Sequence, residues 1–293
     1  MDLAYLRAHP HLLPTFLTHQ RIRQTPVGGG SISAASRLTF DNGDSVFAKE
    51  WPENSTPPQD FFAAEAAGLR WLREPGVIPV PEVLVELPNL LVIEWVQPGD
   101  PTEAGADDFG RNLARLHATG ADWFGAPWPG YIGSLPMPND PSPGPWSTWF
   151  GEQRLLPYAI RSQENGALLS ADVTRVEQLT QRLSDFDAGE PPARLHGDLW
   201  PGNVLWDAGG QGWLVDPAAH GGNRITDLAT LGLFGGVAYQ QRVLDAYEEV
   251  HPLPSEWRAW LPCHRLHLML VHTAIFGSGY RQAVLDELEA LGF

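Results

Sequence analysis

The stretch Leu195-His196-Gly197-Asp198-Leu199-Trp200-Pro201-Gly202-Asn203-Val204-Leu205-Trp206, closely followed by Leu214-Val215-Asp216, decides how this chain is read. An aspartate, an asparagine five positions later and a second aspartate ending a predicted strand gather three oxygen-bearing side chains on one short hairpin-like segment. The first carboxylate can take a proton from a hydroxyl. The amide oxygen and the second carboxylate are hard donors of the kind Mg²⁺ takes, since that ion keeps some of its waters and completes its shell from phosphates. The pattern points to Asp198 as a base and to Asn203 and Asp216 as metal ligands for phosphoryl transfer. His-Gly-Asp alone is ordinary turn chemistry; with Asn203 and Asp216 at these spacings a purely structural explanation falls away.

Working upstream, the other parts that such chemistry needs occur in order. Gly28-Gly29-Gly30-Ser31-Ile32-Ser33 lies between two predicted strands, where bare backbone amides can cover phosphates; in a chain with 30 glycines the run carries little by itself. Of 19 basic residues 18 are Arg, and Lys49 is the only Lys. A codon preference explains the ratio but not the survivor, and a site shaped for a compact ammonium resists a planar guanidinium. Glu65, in the following helix, is placed to anchor Lys49 against nucleotide phosphates. Glu94 and Val96 fall at a strand end, where hinge backbone groups would meet adenine. ATP and Mg²⁺ are therefore the expected cofactors.

The surrounding pattern predicts a small sheet with one helix, a hinge, and a larger helical part. Residues 1–20 read as an N-terminal helix or extension. Ala35 to Phe40, the turn Asp41-Asn42-Gly43-Asp44 and Ser45 to Trp51 read as a hairpin, followed by a helix from Phe61 to Gly76 and strands at Glu82 to Glu86 and Leu90 to Val96. Gln97-Pro98-Gly99-Asp100-Pro101 is the turn-rich boundary. It divides a nucleotide-binding lobe, residues 1–96, from a catalytic and substrate-binding lobe, residues 97–293. Helices are expected at Asp108 to His117, Trp149 to Ile160 and Val173 to Phe186, with two more in the last forty residues. The loop from Ala121 to Trp146, rich in Pro, Gly and aromatic residues, has the composition of an ordered binding loop.

Composition sets the outer bounds. A formal charge of −16 excludes a nucleic-acid backbone as partner and welcomes a cationic substrate. No window approaches the roughly 20 apolar residues of a membrane span, and the first thirty residues do not read as a signal peptide. The single cysteine, Cys263, precludes an internal disulfide and suits a reducing cytoplasm.

The order Gly-rich run, Lys49, Glu65, hinge, His196-Gly197-Asp198, Asp216 resembles the aminoglycoside phosphotransferase and choline kinase branch of the protein-kinase-like superfamily. Only ten residues separate Asp216 from Asp227, too few for the activation segment of a protein kinase. Within that branch the chain resembles the fructosamine-3-kinase and ketoamine kinase family over nearly its whole length. Glu65-Ala66-Ala67-Gly68-Leu69, Ile132-Gly133-Ser134, Trp149-Phe150, Glu152-Gln153-Arg154-Leu155, Trp200 after Asp198, Asp216-Pro217-Ala218, Leu233-Phe234-Gly235-Gly236 and the late His272 with Phe276-Gly277 carry the likeness.

The resemblance implies an α+β, bilobal protein-kinase-like fold with a small β-rich N-lobe and a larger, mainly helical C-lobe. It implies ATP-dependent phosphorylation of the 3-hydroxyl of a ketoamine sugar, fructosamine or ribulosamine, on an amine such as lysine, free or protein-bound, leading to deglycation. By the same likeness Trp200 and His272 face the sugar; Arg224 and Asp227 are assigned to structural support of the catalytic loop rather than to chemistry. Gly222-Asn223-Arg224-Ile225 departs from the family's Gly-His-Arg-Glu, and Leu135-Pro136-Met137-Pro138 departs after Ile132-Gly133-Ser134; both bear on substrate choice. An aminoglycoside- or choline-type O-phosphotransferase and a nucleotide-binding pseudokinase are the alternatives, the second opposed by the intact Lys49, Glu65, Asp198, Asn203 and Asp216.

Overall fold

Alternation of apolar and polar residues builds the N-terminal sheet. Strands β1 (Arg23–Pro26), β2 (Ala34–Thr39), β3 (Ser45–Glu50), β4 (Val83–Leu87) and β5 (Leu90–Glu94) pair antiparallel in the order β1-β2-β3-β5-β4. The computed structural model of the protein describes Ala8, His9, His11, Leu13, 22–28, 33–52 and 55–293. Gly29, Gly30, Ser31 and Ile32 of the glycine-rich run, and most of the expected N-terminal helix, lie outside the described residues. In β5, Leu90 and Val92 pack on one face with Leu38, Val46 and Ala48, while Leu91 and Ile93 pack on the other with Phe62, Leu69 and Leu72. A period of two along the strand requires this division. Helix α1 (Phe61–Arg73) buries Phe62, Ala66, Leu69 and Leu72, an i, i+4, i+7, i+10 stripe, against that second face.

After β5 the chain turns through Gln97 to Gly99, tied by Gly99 N–H to Trp206 O at 2.9 Å and Ala208 N–H to Gln97 O at 3.0 Å. Helix α2 (Glu103–Ala118) begins at Thr102, whose hydroxyl oxygen accepts from Gly105 N–H at 3.0 Å, so it starts earlier than its apolar period indicated. The helical lobe continues with α3 (Trp146–Phe150), a π-helical turn Gly151–Leu155, α4 (Leu156–Glu164), α5 (Ser170–Thr180), α6 (Ile225–Thr230), α7 (Gln240–Val250), α8 (Trp257–Phe276) and α9 (Arg281–Ala290). The helix expected from Trp149 to Ile160 is thus broken by the π turn. That expected from Val173 to Phe186 stops at Thr180, with a separate 3₁₀ turn at Leu183–Phe186. Helix α6 had no signal of its own because all six of its residues are buried, which erases amphipathic periodicity.

Three short strand pairs complete the chain: β6 (Gly130–Ile132) with β7 (Leu135–Met137), β8 (Ala193–Leu195) with β11 (His220–Gly222), and β9 (Val204–Trp206) with β10 (Gly212–Leu214). One core runs from the inner face of the sheet through α1, α2 and α7 to Leu199, Val204 and Leu214; a second joins α3, α4, α5, α8 and α9. No helix of the described residues is long and apolar enough to cross a membrane.

Candidate active site

The two strand pairs β8–β11 and β9–β10 hold the loop from His196 to Asn203 between them. Gly197 is confined to glycine: its φ is +83°, and a Cβ there would stand 2.1 Å from Ala218 O. The loop hangs from one buried carboxylate. Asp227 Oδ1 accepts from Gly197 N–H at 2.9 Å, and Oδ2 accepts from His196 N–H at 2.7 Å and from His117 Nε2 at 3.2 Å. Burial alone would raise the Asp227 pKa, but the bond from His117 and the surrounding donors outweigh it and hold it below the usual carboxylate value. A carboxylate only accepts, so His117 donates from Nε2, and its Nδ1 lies 2.8 Å from the Tyr247 hydroxyl. His196 has its pKa lowered by burial. Its Nε2–H donates to Val215 O at 2.8 Å and its Nδ1 accepts from Asp198 N–H at 3.2 Å.

Asp198 and Asn203 face each other across this loop. Asn203 Nδ2 donates to Asp198 O at 2.8 Å and to Asp198 Oδ2 at 3.3 Å. Burial, and then the negative charge of Asp216, push the Asp198 carboxyl up to about 8. Asp216 adopts a left-handed conformation, φ +55°, uncommon outside glycine and concentrated at functional sites. From the other lobe, Lys49 on β3 reaches the same place: Nζ lies 2.7 Å from Glu65 Oε1 and 2.6 Å from Asp216 Oδ1. Burial works against its charge, yet the two carboxylates hold its pKa above the ordinary lysine value. Burial raises Glu65 in turn, against the pull of Lys49.

These groups line one cavity of about 790 Å³ between the lobes. Gly28, Ser33, Val96 and Glu94 lie along its sheet side. The Glu94 carboxylate is directed to Arg73 at 3.7 Å and to Glu82 N–H at 3.2 Å, which leaves the strand-end backbone as its contribution to the cavity. Among oxygen donors, Asn203 has its amide nitrogen committed to Asp198, so its oxygen is the terminus available for ligation, and the Asp216 side chain is 46% exposed. An amide oxygen and a carboxylate fit a hard divalent cation that also binds phosphates. Among the described residues no cluster of three or more His, Cys, Asp or Glu side chains makes a protein-only metal cage.

The far side of the cavity is aromatic. Trp200 lies over Gly202, where a Cβ would come 2.0 Å from the indole ring. Its ring stands edge-on to Phe234 at 5.9 Å, Phe234 meets His272 at 5.4 Å, and His272 meets Phe276 and Tyr280. His272 Nδ1–H donates to Leu268 O at 2.6 Å, and burial keeps the ring neutral, so Nε2 is an acceptor. The loop rich in aromatics contributes Trp128, Tyr131 and Ile132 to the lining. Arg154, 1% exposed, pins that loop through Asn139 Oδ1 at 2.9 Å and Pro138 O, and stacks over Trp149 at 4.3 Å.

Of the residues expected from sequence to bind or catalyse, all that fall within the described residues line this cavity. Arg224 departs from the expectation that it supports the catalytic loop. Its guanidinium pairs with Glu190 and the carbonyls of His251 and Pro252, so it ties α7's end to the approach to β8, and of the two residues Asp227 is the one that bonds the loop. Tyr280 escaped sequence reading; its spacing from His272 and Phe276 at i+8 and i+4 was the available signal.

Comparison with known proteins agrees with this architecture. The family model described as fructosamine kinase matches residues 11–291. A probable ketoamine kinase of Thermus thermophilus is 36% identical over 265 residues, 90% of this chain and 92% of the relative. The solved structure of a candidate fructosamine-3-kinase from Thermobifida fusca superposes with a TM-score of 0.87 at 43% identity, covering 93% of this chain and 94% of that one. At the level of fold alone, a macrolide 2'-phosphotransferase from Brachybacterium faecium superposes with a TM-score of 0.60 at 16% identity, covering 95% and 97%. A bilobal kinase-like fold, a cavity in which one lysine meets carboxylates from both lobes, and a family match spanning residues 11–291 place this chain in the fructosamine kinase family.

Proposed function

We propose that this protein transfers the γ-phosphoryl group of ATP to the 3-hydroxyl of a ketoamine sugar, a fructosamine or ribulosamine, carried on an amine such as lysine. The reading rests above all on Lys49, which bridges Glu65 and Asp216 in the cavity that also holds Asp198 and Asn203, in a chain of this family. Residues 1–96 act as the nucleotide lobe and 97–293 as the catalytic and substrate lobe. Gly28 to Ser33 and the backbone from Glu94 to Val96 bind the nucleotide, and Lys49, held by Glu65, orients its phosphates. Asn203 and Asp216 would hold Mg²⁺, which would supply neutralisation of phosphate charge and, beside Asp216, offset the second of the two causes that raise the Asp198 pKa, burial being the first.

Asp198 accepts the proton of the 3-hydroxyl as the sugar oxygen forms its bond to Pγ and the bond from Pγ to the departing ADP oxygen breaks. The chain's own contribution is orientation and charge placement, which supply most of the rate in phosphoryl transfer. Trp200 and the His272 Nε2 acceptor position the sugar. In a later step the 3-phosphate is eliminated together with a proton from C1 of the sugar, and water hydrolyses the resulting imine to a dicarbonyl sugar and the free amine. The buried lone Cys263 fits work in a reducing cytoplasm.

The test is ATP consumption with Mg²⁺ against ribulose-lysine, fructose-lysine, an aminoglycoside and choline. Turnover of a ketoamine, lowered roughly 10²–10⁴-fold in Asp198→Asn with ATP binding retained, is the expected result. Turnover of the aminoglycoside or choline alone would assign a different O-phosphotransferase, and ATP binding with no turnover would assign a pseudokinase.

A further inference from the structure

The aromatic side of the cavity extends beyond what a sugar needs. From Trp200, two positions after Asp198, the rings run outward in sequence: Trp200 to Phe234 at 5.9 Å, Phe234 to His272 at 5.4 Å, His272 to Phe276 at 5.6 Å, and Phe276 to Tyr280 at 5.8 Å. Phe234 and Phe276 are 55% and 57% exposed at the mouth, while Trp200, His272 and Tyr280 are half-buried between and beside them. Large rings left in water at a cavity rim mark a binding surface.

Phe234 adds an independent sign. It holds φ +52° and ψ +34°, a left-handed conformation that is a genuine outlier for a bulky side chain, in the turn ahead of Gly235 and Gly236. Strain of this kind persists where the surrounding structure imposes it and gathers at ligand clamps. The charges in the cavity match: Glu65 and Asp216 line it as two carboxylates against one ammonium, that of Lys49, the one Lys or Arg among the described lining residues. His272 is neutral and adds no opposing charge at the rim.

We propose that Phe234, Phe276 and Tyr280 form the subsite for the arm of the acceptor, reading its protonated secondary amine and alkyl chain through cation–π and apolar contact with ring faces. This deepens the ketoamine kinase reading and rests on it. The sugar lies at Trp200 and Asp198, the amine crosses the Phe234 face, and the carrier leaves over Phe276. The amine is then recognised as a cation and not merely tolerated as a linker.

The experiment compares a ketoamine with the matched ether in which oxygen replaces the nitrogen, measuring kcat/KM for each with wild type, Phe234→Leu, Phe276→Leu and Tyr280→Leu. Leucine keeps apolar bulk and removes the ring face. Wild type should prefer the amine by roughly 2- to 30-fold, the range a cation–π contact allows. In Phe276→Leu and Phe234→Leu that preference should fall towards unity while KM for ATP and the melting temperature stay as in wild type. The exposed positions of both rings make misfolding a remote issue, and Tyr280→Leu supplies a third reading if one variant is unstable. An unchanged amine-to-ether ratio in folded variants, or a wild type that uses both acceptors equally, overturns this subsite while leaving ketoamine kinase activity standing. A wild type inactive on the ketoamine overturns the underlying reading as well.

Discussion

Asp227→Asn is the substitution whose cost can be worked from geometry. Asp227 is wholly buried and receives three hydrogen bonds on two oxygens, from the amides of His196 and Gly197 and from His117 Nε2. Asparagine offers one oxygen and one NH₂, so in either orientation an N–H donor of the loop or of His117 faces another donor. One charge-assisted bond, about 1.5–3 kcal/mol, is lost, and a buried donor is left unsatisfied at about 1–3 kcal/mol. The sum is roughly 2.5–6 kcal/mol, or a fall in Tm of roughly 4–10 °C for a chain of this size at about 2.1 cal/mol/K of unfolding entropy per residue. Activity should fall further than stability does, because Gly197 and with it Asp198 are displaced. The pH dependence has a definite sign. The folded Asp227 pKa lies below its ordinary value of 3.8, so its stabilisation is fully present above about pH 4 and is lost as pH falls through the folded value. The Tm gap between wild type and variant should therefore be constant near neutrality and close in acid. Thermal unfolding followed by circular dichroism across pH 3–8 reads both effects. A Tm within about 1 °C of wild type at pH 7, or a gap that widens as pH falls, would refute the reasoning.

Three further outcomes follow from the site. Lys49→Arg should lower kcat/KM for ATP roughly 10- to 100-fold, since a guanidinium cannot reproduce an ammonium held 2.6 and 2.7 Å from two carboxylates; a variant with wild-type ATP kinetics would show that the site reads charge alone. Arg154→Met should raise KM for the acceptor several-fold and leave KM for ATP unchanged, because Arg154 pins Pro138 and Asn139 behind the loop that lines the acceptor side. Equal changes in both constants would contradict that assignment. Chelation with EDTA should abolish turnover, with Mg²⁺ restoring it, while the folded state survives in thermal unfolding; a large loss of Tm on chelation would make the ion structural.

The N-lobe and the polar residue types that meet in the cavity were legible because each is constrained by residue type. Strand alternation in β2, β3 and β5 needs a fixed face for Val46, Ala48 and Val92, and phosphoryl chemistry needs an ammonium, an amide and carboxylates that few substitutes can replace. Their meeting was less legible. The 2.6 Å contact of Lys49 with Asp216 joins residues 167 positions apart and depends on how the two lobes close over α1. Arg224 shows the same limit: its neighbourhood in sequence suggested the catalytic loop, and tertiary packing sends it to Glu190 instead. The π turn at Gly151–Leu155 and helix α6 were hidden, the first because a register change leaves no compositional mark, the second because burial on every side removes periodicity. The aromatic wall needed the phase of α8 relative to the Leu233–Gly236 turn, which ring spacing along α8 alone does not supply.

The most direct test of the central claim is to incubate the protein with ¹³C-labelled ribulose-lysine, ATP and Mg²⁺ and to follow the sugar and phosphorus by NMR. Phosphorus coupled to C3 of the sugar, followed by release of free lysine, is the predicted result. Phosphate on any other sugar carbon, or ATP consumed with the ketoamine unaltered, would contradict it.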